Sequence, residues 1–352
     1  MFAVILVLES ASTNDYALTP GQATPVAPLV TIKGSVETNA HPSKILLVDV
    51  YLSSLSVWEW IKVHFQAHVQ IVPADELVEP GVSTSELSAQ GFLEMSDAKQ
   101  AAEVAAFRAL GWHVPATPTG AVITAVVDAT PASRAGLTVG DEIVGVNSTS
   151  IHSGCAIVSY LHDLAPGTGL TLHLSKVKIS STGILSYNPD STVHVVTAAA
   201  PSDAASGCPG VSGADKSFLG IAYENGYQYT LPATVNINTS NIGGPSAGLA
   251  MTLTLINKLS HGSLTGGRIV AATGTMAPNG QVGGVGGVEE KAVAAHDAHA
   301  QYFIVPDGDG DVDAARAANQ PGLTILPVTS LKEALKDLRK LGGAAPVPIT
   351  TP

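Results

Sequence analysis

Apolar residues along this chain fall into short blocks separated by glycine and proline, and the spacing inside each block predicts its element. KILLVDVYL at 44–52 is a nearly unbroken run of branched side chains, the pattern of a buried strand. SVWEWIKVHF follows with mixed helical spacing. The next helical stretch runs from about Ser96, with Ser96 or Asp97 as its cap, to Leu110, with Gly111 as the stop. At 120–151, GAVITAVVDATPASRAGLTVGDEIVGVNSTSI alternates a strand, a proline-started helical turn at 131–135, a Gly-Leu turn and a second strand opening at Gly140-Asp141. TLHLSKVKI, STVHVVTA and QYFIVP read as later strands. SAGLAMTLTLINKL reads as an apolar helix, and SLKEALKDLRKLGG as a last helix with a charged face.

The punctuation divides the chain. TPGQATPVAPLVTIKG closes an extended N-terminal segment (1–34), and an α/β region of unassigned role follows (35–108). The strand-rich region spans 109–199, the small polar stretch 200–217 is a linker, a further domain covers 218–342, and 343–352 is a frayed tail. The fold class is mixed α/β (α+β). MFAVILVL at the start is wholly apolar and stops at Glu9. Crossing a bilayer takes about 20 such residues, so this run alone cannot span one. It also lacks the basic flank of a signal peptide. A buried first strand and the end of a membrane helix both fit it.

Composition narrows the classes. The 352 residues suffice for two or three domains, and 45% apolar with only 13% charged residues is a globular composition. A net charge of −12 argues against a nucleic-acid partner. Cys155 and Cys208 match neither zinc-ligand nor C-x-x-C spacing; one disulfide or two separate thiols both fit. DGDGDVD at 307–313 has Val312 and Ala318 where a calcium loop needs Gly and Glu, so it reads as an acidic surface loop. The histidines lack an H-E-x-x-H pattern, and His64 and His68 read as structural or solvent-facing. No metal or cofactor is expected. No phosphate-binding G-x-x-x-x-G-K-[ST] occurs either, which argues against ATP binding by this chain.

The chemistry concentrates at 244–248, where Gly-Pro-Ser-Ala-Gly satisfies G-x-S-x-G around Ser246. The α/β-hydrolase elbow needs an acid and then a histidine further along the chain. Here the later histidines, His261, His296 and His299, lie too close to Ser246, and Pro245 sits where that elbow needs a strained turn. A lysine base remains. It must be neutral to accept the serine proton, so burial has to lower its pKa. Lys258, Lys332, Lys336 and Lys340 lie at helix ends or on charged faces. Lys291 instead shares a helical stripe with Val288, Ala292 and Ala295, at i, i+3, i+4 and i+7, all apolar. Glu289 and Glu290 point elsewhere, and His296 and Asp297 fall at exposed positions.

Three spaced strings carry a family resemblance. G-P-S-A-G-x-x-M (244–251), G-G-x-x-E-K (286–291) and the intervening TGTMAPNGQVGGVGG (273–287) resemble the proteolytic domain of Lon-type serine proteases. P-A-x-x-A-G-L-x-x-G-D-x-I-x-x-V-N (131–147) looks like the core of a PDZ domain covering roughly 109–199. The resemblance implies Ser246 as nucleophile, Lys291 as general base and Thr273 as a hydroxyl orienting the amine. Gly244, Pro245 and Ala247 would shape the oxyanion and substrate-backbone surface. ATP-dependent Lon enzymes often carry an acid three residues before the serine; here that position is Gly243. N-x-G-G-P-S-A-G is similar instead to membrane-anchored Lon-like proteins that join a PDZ domain to this protease and lack an ATPase.

That branch implies an ATP-independent serine endopeptidase acting on peptides or proteins. It also implies a prokaryotic, extracytoplasmic, membrane-associated location, with MFAVILVL as the remnant of an anchor, and a homo-oligomeric ring, commonly of six subunits. A PDZ fold adds a peptide as an extra strand at a sheet edge. Leu110-Gly111-Trp112-His113 would cup the peptide's carboxylate, or would form an ordinary helix-to-strand turn. The rival reading is a non-catalytic PDZ adaptor with a Lon-like scaffold.

Overall fold

The computed structural model describes residues 12–39, 44–77, 84–179, 185–202, 207–209, 216–239, 242–308 and 310–350. The apolar run MFAVILVL lies outside them. The chain forms two compact units: residues 1–114 with 231–352, and residues 115–230 inserted between them in sequence.

The first unit opens with β1 (Ser12–Pro25), β2 (Val30–Lys33) and β3 (Lys44–Ser56), then α1 (Val57–Val63), β4 (Gln70–Pro73) and α2 (Thr84–Ala109). The Ser56 hydroxyl and the Glu59 carboxylate cap the start of α1 reciprocally. Helix α2 starts well before the expected Ser96, because it continues through Gly91 instead of breaking there. Its end matches the expected stop. Gly111 sits at φ 92°, its N–H bonds the Arg108 carbonyl, and Trp112 N–H reaches back to Phe107, a Schellman cap.

The inserted unit contains β5 (Ala116–Val126), α3 (Pro131–Arg134), β6 (Glu142–Val146), α4 (Gly154–His162), β7 (Gly169–Ile179), β8 (Leu185–Val196) and β9 (Ile221–Tyr229). Its sheet runs in the order β9–β5–β6–β7–β8, and every one of these pairings is antiparallel. Alternate residues Ala121 and Ile123, Leu170, Leu172 and Leu174 turn inward to meet Ile157 and Leu161 of α4. Cys155 and Cys208 form a disulfide with Cα atoms 5.5 Å apart, tying α4 to the 207–209 segment.

The first unit then resumes with β10 (Thr234–Ile237), a 3-10 turn (Pro245–Ala247) and α5 (Gly248–Leu259), then β11 (Ile269–Ala272) and α6 (Val288–Asp297). It ends with β12 (Tyr302–Pro306), α7 (Asp311–Ala317), β13 (Thr324–Val328) and α8 (Leu331–Lys340). The sheet order is β13–β12–β11–β3–β1–β4. Strands β3, β11, β12 and β13 run parallel, and β1 is antiparallel to β3 and β4. Leu46, Val48, Ala271, Phe303 and Val305 form one core with Val288, Ala292 and Ala295 of α6 and Ala315 of α7. Burying a side chain such as Phe303 stabilises by about 2–3 kcal/mol.

Two expected boundaries move. Residues 35–108 are not a separate domain: Ile45–Val48 are buried without alternation, so β3 is covered on both faces, flanked by β11 and β1. The C-terminal domain does not begin at 218 either, since β9 pairs along β5 from Tyr229↔Ala116 to Ile221↔Val126 inside the inserted unit. Residues 110–113 cannot cup a carboxylate, because Gly111 and Trp112 spend their N–H groups on the Schellman cap, and the Trp112 ring packs edge-on against Phe107.

Candidate active site

The site gathers where β11 and β12 end, beside the middle of β3. Gly244 takes φ 84°, a left-handed conformation that disfavours side chains, and Pro245 starts the 3-10 turn leading into α5. Ser246, half-buried, sits in that turn. Its carbonyl accepts the Gly274 N–H at 2.9 Å and the Thr273 hydroxyl at 3.3 Å. Gly248 explains the second glycine of the motif: a Cβ there would lie 2.9 Å from both the Cβ and the N of Met276. Small residues let the serine turn pack backbone to backbone on the 273–276 segment.

Thr273 is completely buried and follows Ala272, which pairs with Leu47 of β3; its own N–H bonds the Ile304 carbonyl of β12. Its hydroxyl donates to the Ser246 carbonyl, and that bond links it to the serine turn directly.

Lys291 lies in the first turn of α6, four residues after Gly287, whose left-handed φ of 66° turns the chain into the helix. A side chain at Gly287 would strike Leu18 and Val50, so the helix start rests against β1 and β3. Lys291 is only 3% exposed, and the whole expected stripe of Val288, Lys291, Ala292 and Ala295 is buried. Burial lowers the amine's pKa to about 8, against the opposing pull of Asp311, Asp49 and Glu290. The helix N-terminus also disfavours a cation there. Among the described residues, no hydrogen bond joins the Ser246 hydroxyl to the Lys291 amine. In substrate-free enzymes such bonds are often long and tighten when substrate binds.

The carboxylates correct the sequence reading. Asp311, expected on an acidic surface loop, is 5% exposed and accepts the Val285 N–H at 3.2 Å. Asp49, two residues beyond Leu47 on β3, accepts the Gln22 N–H at 2.6 Å. Glu290 does not point away: it is 2% exposed, burial raises its pKa, and one of its oxygens has no hydrogen-bond partner. Glu289 is the outward one, 2.9 Å from His68. The signal for Asp49 was present, an acid inside an otherwise apolar strand, while Asp311 was hidden among its exposed neighbours.

Two family models match segments of this chain. Residues 237–340 match the Lon protease (S16) C-terminal proteolytic domain, and residues 82–178 match the PDZ domain. The Lon protease of Chloroflexus aggregans is 36% identical over 93 residues, covering 26% of this chain and 11% of that protein. Lon protease 1 of Bacillus subtilis is 34% identical over 94 residues, covering 26% of this chain and 12% of its own length. The Frankia alni Lon protease is 38% identical over 93 residues, covering 26% and 10%. This chain therefore spans about a tenth of the length of the curated relatives it matches. A solved PDZ domain of an SdrC-like protein from Listeria monocytogenes aligns over 30% of this chain and 87% of its own, at 15% identity and a TM-score of 0.22. The chain is a mixed α/β protein that carries a Lon-type proteolytic domain and a PDZ domain. Among the described residues, no helix is long and apolar enough to cross a membrane.

Proposed function

We propose that this chain is a serine endopeptidase that hydrolyses peptide bonds through Ser246 and Lys291 without ATP. The observation that carries the reading is a lysine amine buried to 3% exposure with its pKa lowered to about 8. At neutral pH that lowering raises the neutral fraction by about two orders of magnitude over an ordinary lysine. Neutral Lys291 takes the Ser246 proton as Oγ attacks the peptide carbonyl. The tetrahedral intermediate expels the amine, which leaves with the proton from Lys291. The lysine then deprotonates water, whose attack on the ester restores Ser246 and releases the acid.

Gly244 N–H donates to another carbonyl and Pro245 has no N–H, so neither supplies an oxyanion donor. The Ser246 amide, near the start of the 3-10 turn where N–H groups have no partner within the turn, is the group this loop offers instead, since the Ala247 amide closes the turn. Thr273 acts by holding the serine turn. In the inserted unit, β9 is the edge strand beside β5, following Gly220 at φ 85°, and it would take a peptide as an added strand. The disulfide favours an oxidising, extracytoplasmic setting. Assembly into a homo-oligomeric ring and membrane association belong to the same reading, and solution mass and membrane fractionation test them.

The deciding experiment compares cleavage of casein or a peptide by the wild type, Ser246→Ala and Lys291→Ala, with and without ATP. The expected result is cleavage by the wild type alone, unchanged by ATP. Equal cleavage by all three removes the dyad, and no cleavage by any of them leaves the non-catalytic peptide-binding adaptor.

A further inference from the structure

We infer that Gly91, inside the N-terminal third of α2, is a positioning residue for the Ser246 nucleophile. The inference rests on the Ser246–Lys291 reading and extends it to a helix that precedes the inserted unit. The Gly91 carbonyl accepts the N–H of Gly244, two residues before Ser246, at 2.7 Å. That is the short end of the N–H···O range.

The two backbones also touch. A Cβ built on Gly243 would lie 3.2 Å from the Gly91 carbonyl carbon and 3.3 Å from its oxygen. One built on Gly91 would lie 3.5 Å from the Gly244 nitrogen and 3.7 Å from the Gly243 Cα. No side chain fits between the helix and the loop beyond a single methyl. Glycine is among the poorest residues for a helix interior, and α2 runs 26 residues with Gly91 inside it. The close approach explains its presence there.

The nucleophile's turn is thus held at three points. Gly244 is tied to α2, the Ser246 carbonyl is tied to Thr273 and Gly274, and Gly248 packs on Met276. The last two supports come from the segment that follows the serine. The first comes from the other side of the inserted unit in sequence, and it bears on the residues that set the approach to Ser246. Gly243 completes the pair, because any side chain at that position would press on the helix backbone. A nucleophile displaced by about 1 Å loses about a hundredfold in rate, so a wedge at residue 91 is read directly in acylation.

The test uses the full chain with Gly91→Ala, Gly91→Leu and Gly243→Ala. Each is followed by Ser246 acylation with an activated ester, by peptide kcat and KM, by thermal melting, and by hydrogen exchange at the Gly244 amide. Gly91→Ala, whose methyl makes only ordinary contacts, should stay within about threefold of wild-type acylation and melt about 2 °C higher from better helix propensity. Gly91→Leu should lose about 10- to 100-fold in kcat with KM within about threefold, and its Gly244 amide should lose protection. Leucine is a good helix former, so a merely structural glycine would predict a stable, active variant. Wild-type acylation by Gly91→Leu, or a Gly244 amide in the wild type that exchanges like an exposed loop amide, overturns the proposal and leaves the dyad standing. Should Gly91→Leu fail to fold, the wild-type exchange and a few-fold kcat loss in Gly243→Ala decide. A wild type that never acylates at Ser246 removes both readings.

Discussion

Lys291 makes a prediction whose sign runs against intuition: replacing it with methionine should stabilise the folded chain at neutral pH while abolishing activity. Methionine keeps the length and the apolar stem and removes only the ammonium. The amine's pKa falls from an ordinary 10.5 to about 8 in the fold, and burial is the largest cause. At ~1.4 kcal/mol per pH unit, the buried cation costs the wild type about 3 kcal/mol below pH 8. Below that pH the amine is protonated in both the folded and the unfolded chain, so the full penalty applies. Between about 8 and 10.5 the unfolded chain binds more protons than the folded one, so wild-type stability rises with pH. Above 10.5 both forms are neutral and the penalty is gone. The advantage of Lys291→Met should therefore be near 3 kcal/mol at pH 7, shrink across that window, and vanish above it. Urea unfolding of both proteins at pH 7, 9 and 10.5, with the m-value checked for equality, measures it. A variant that is less stable at pH 7, or a difference that does not change with pH, would refute the buried-amine argument. The same titration should appear in catalysis as a rise of kcat/KM through about pH 8.

Three further outcomes follow from the same geometry. Asp311→Asn removes a charge that holds the Lys291 amine's pKa up, so the rising limb of the pH–kcat/KM profile should move to lower pH; an unmoved limb would mean the two groups do not interact. Gly248→Ala places a methyl 2.9 Å from Met276 and should cost about 1–3 kcal/mol in stability together with activity, checked by melting and by peptide turnover. Reducing Cys155–Cys208, which are separated by 53 residues, should destabilise the inserted unit by up to about 4 kcal/mol through restored chain entropy. Melting of the wild type with and without reductant, against Cys155→Ser/Cys208→Ser as a reductant-insensitive control, tests it.

Local chemistry was readable wherever neighbours in sequence determine it. The run from Ile45 to Val48 announced a buried strand, Pro131 announced the helical turn that forms there, and the stripe through Lys291 named a lysine whose amine burial perturbs. Gly111 marked a helix end because a left-handed residue ends helices whatever surrounds them. Misreadings came where a position looked different from its local average: Asp311 among exposed aspartates, Glu290 beside an outward Glu289, and Gly91 inside a long helix.

The strongly periodic strands and helices and the candidate pair Ser246 and Lys291 were therefore legible in the sequence, because periodicity and motif spacing are short-range properties of the chain. The tertiary structure alone decided that residues 12–56 share a sheet with 269–328, that 115–230 is an insertion containing β9, and that Cys155 meets Cys208. It alone brought Asp49 and Asp311 to Lys291, and Gly91 to the serine loop. Those contacts join segments tens to more than a hundred residues apart, and only the packing of the folded sheet and helices sets which of them meet.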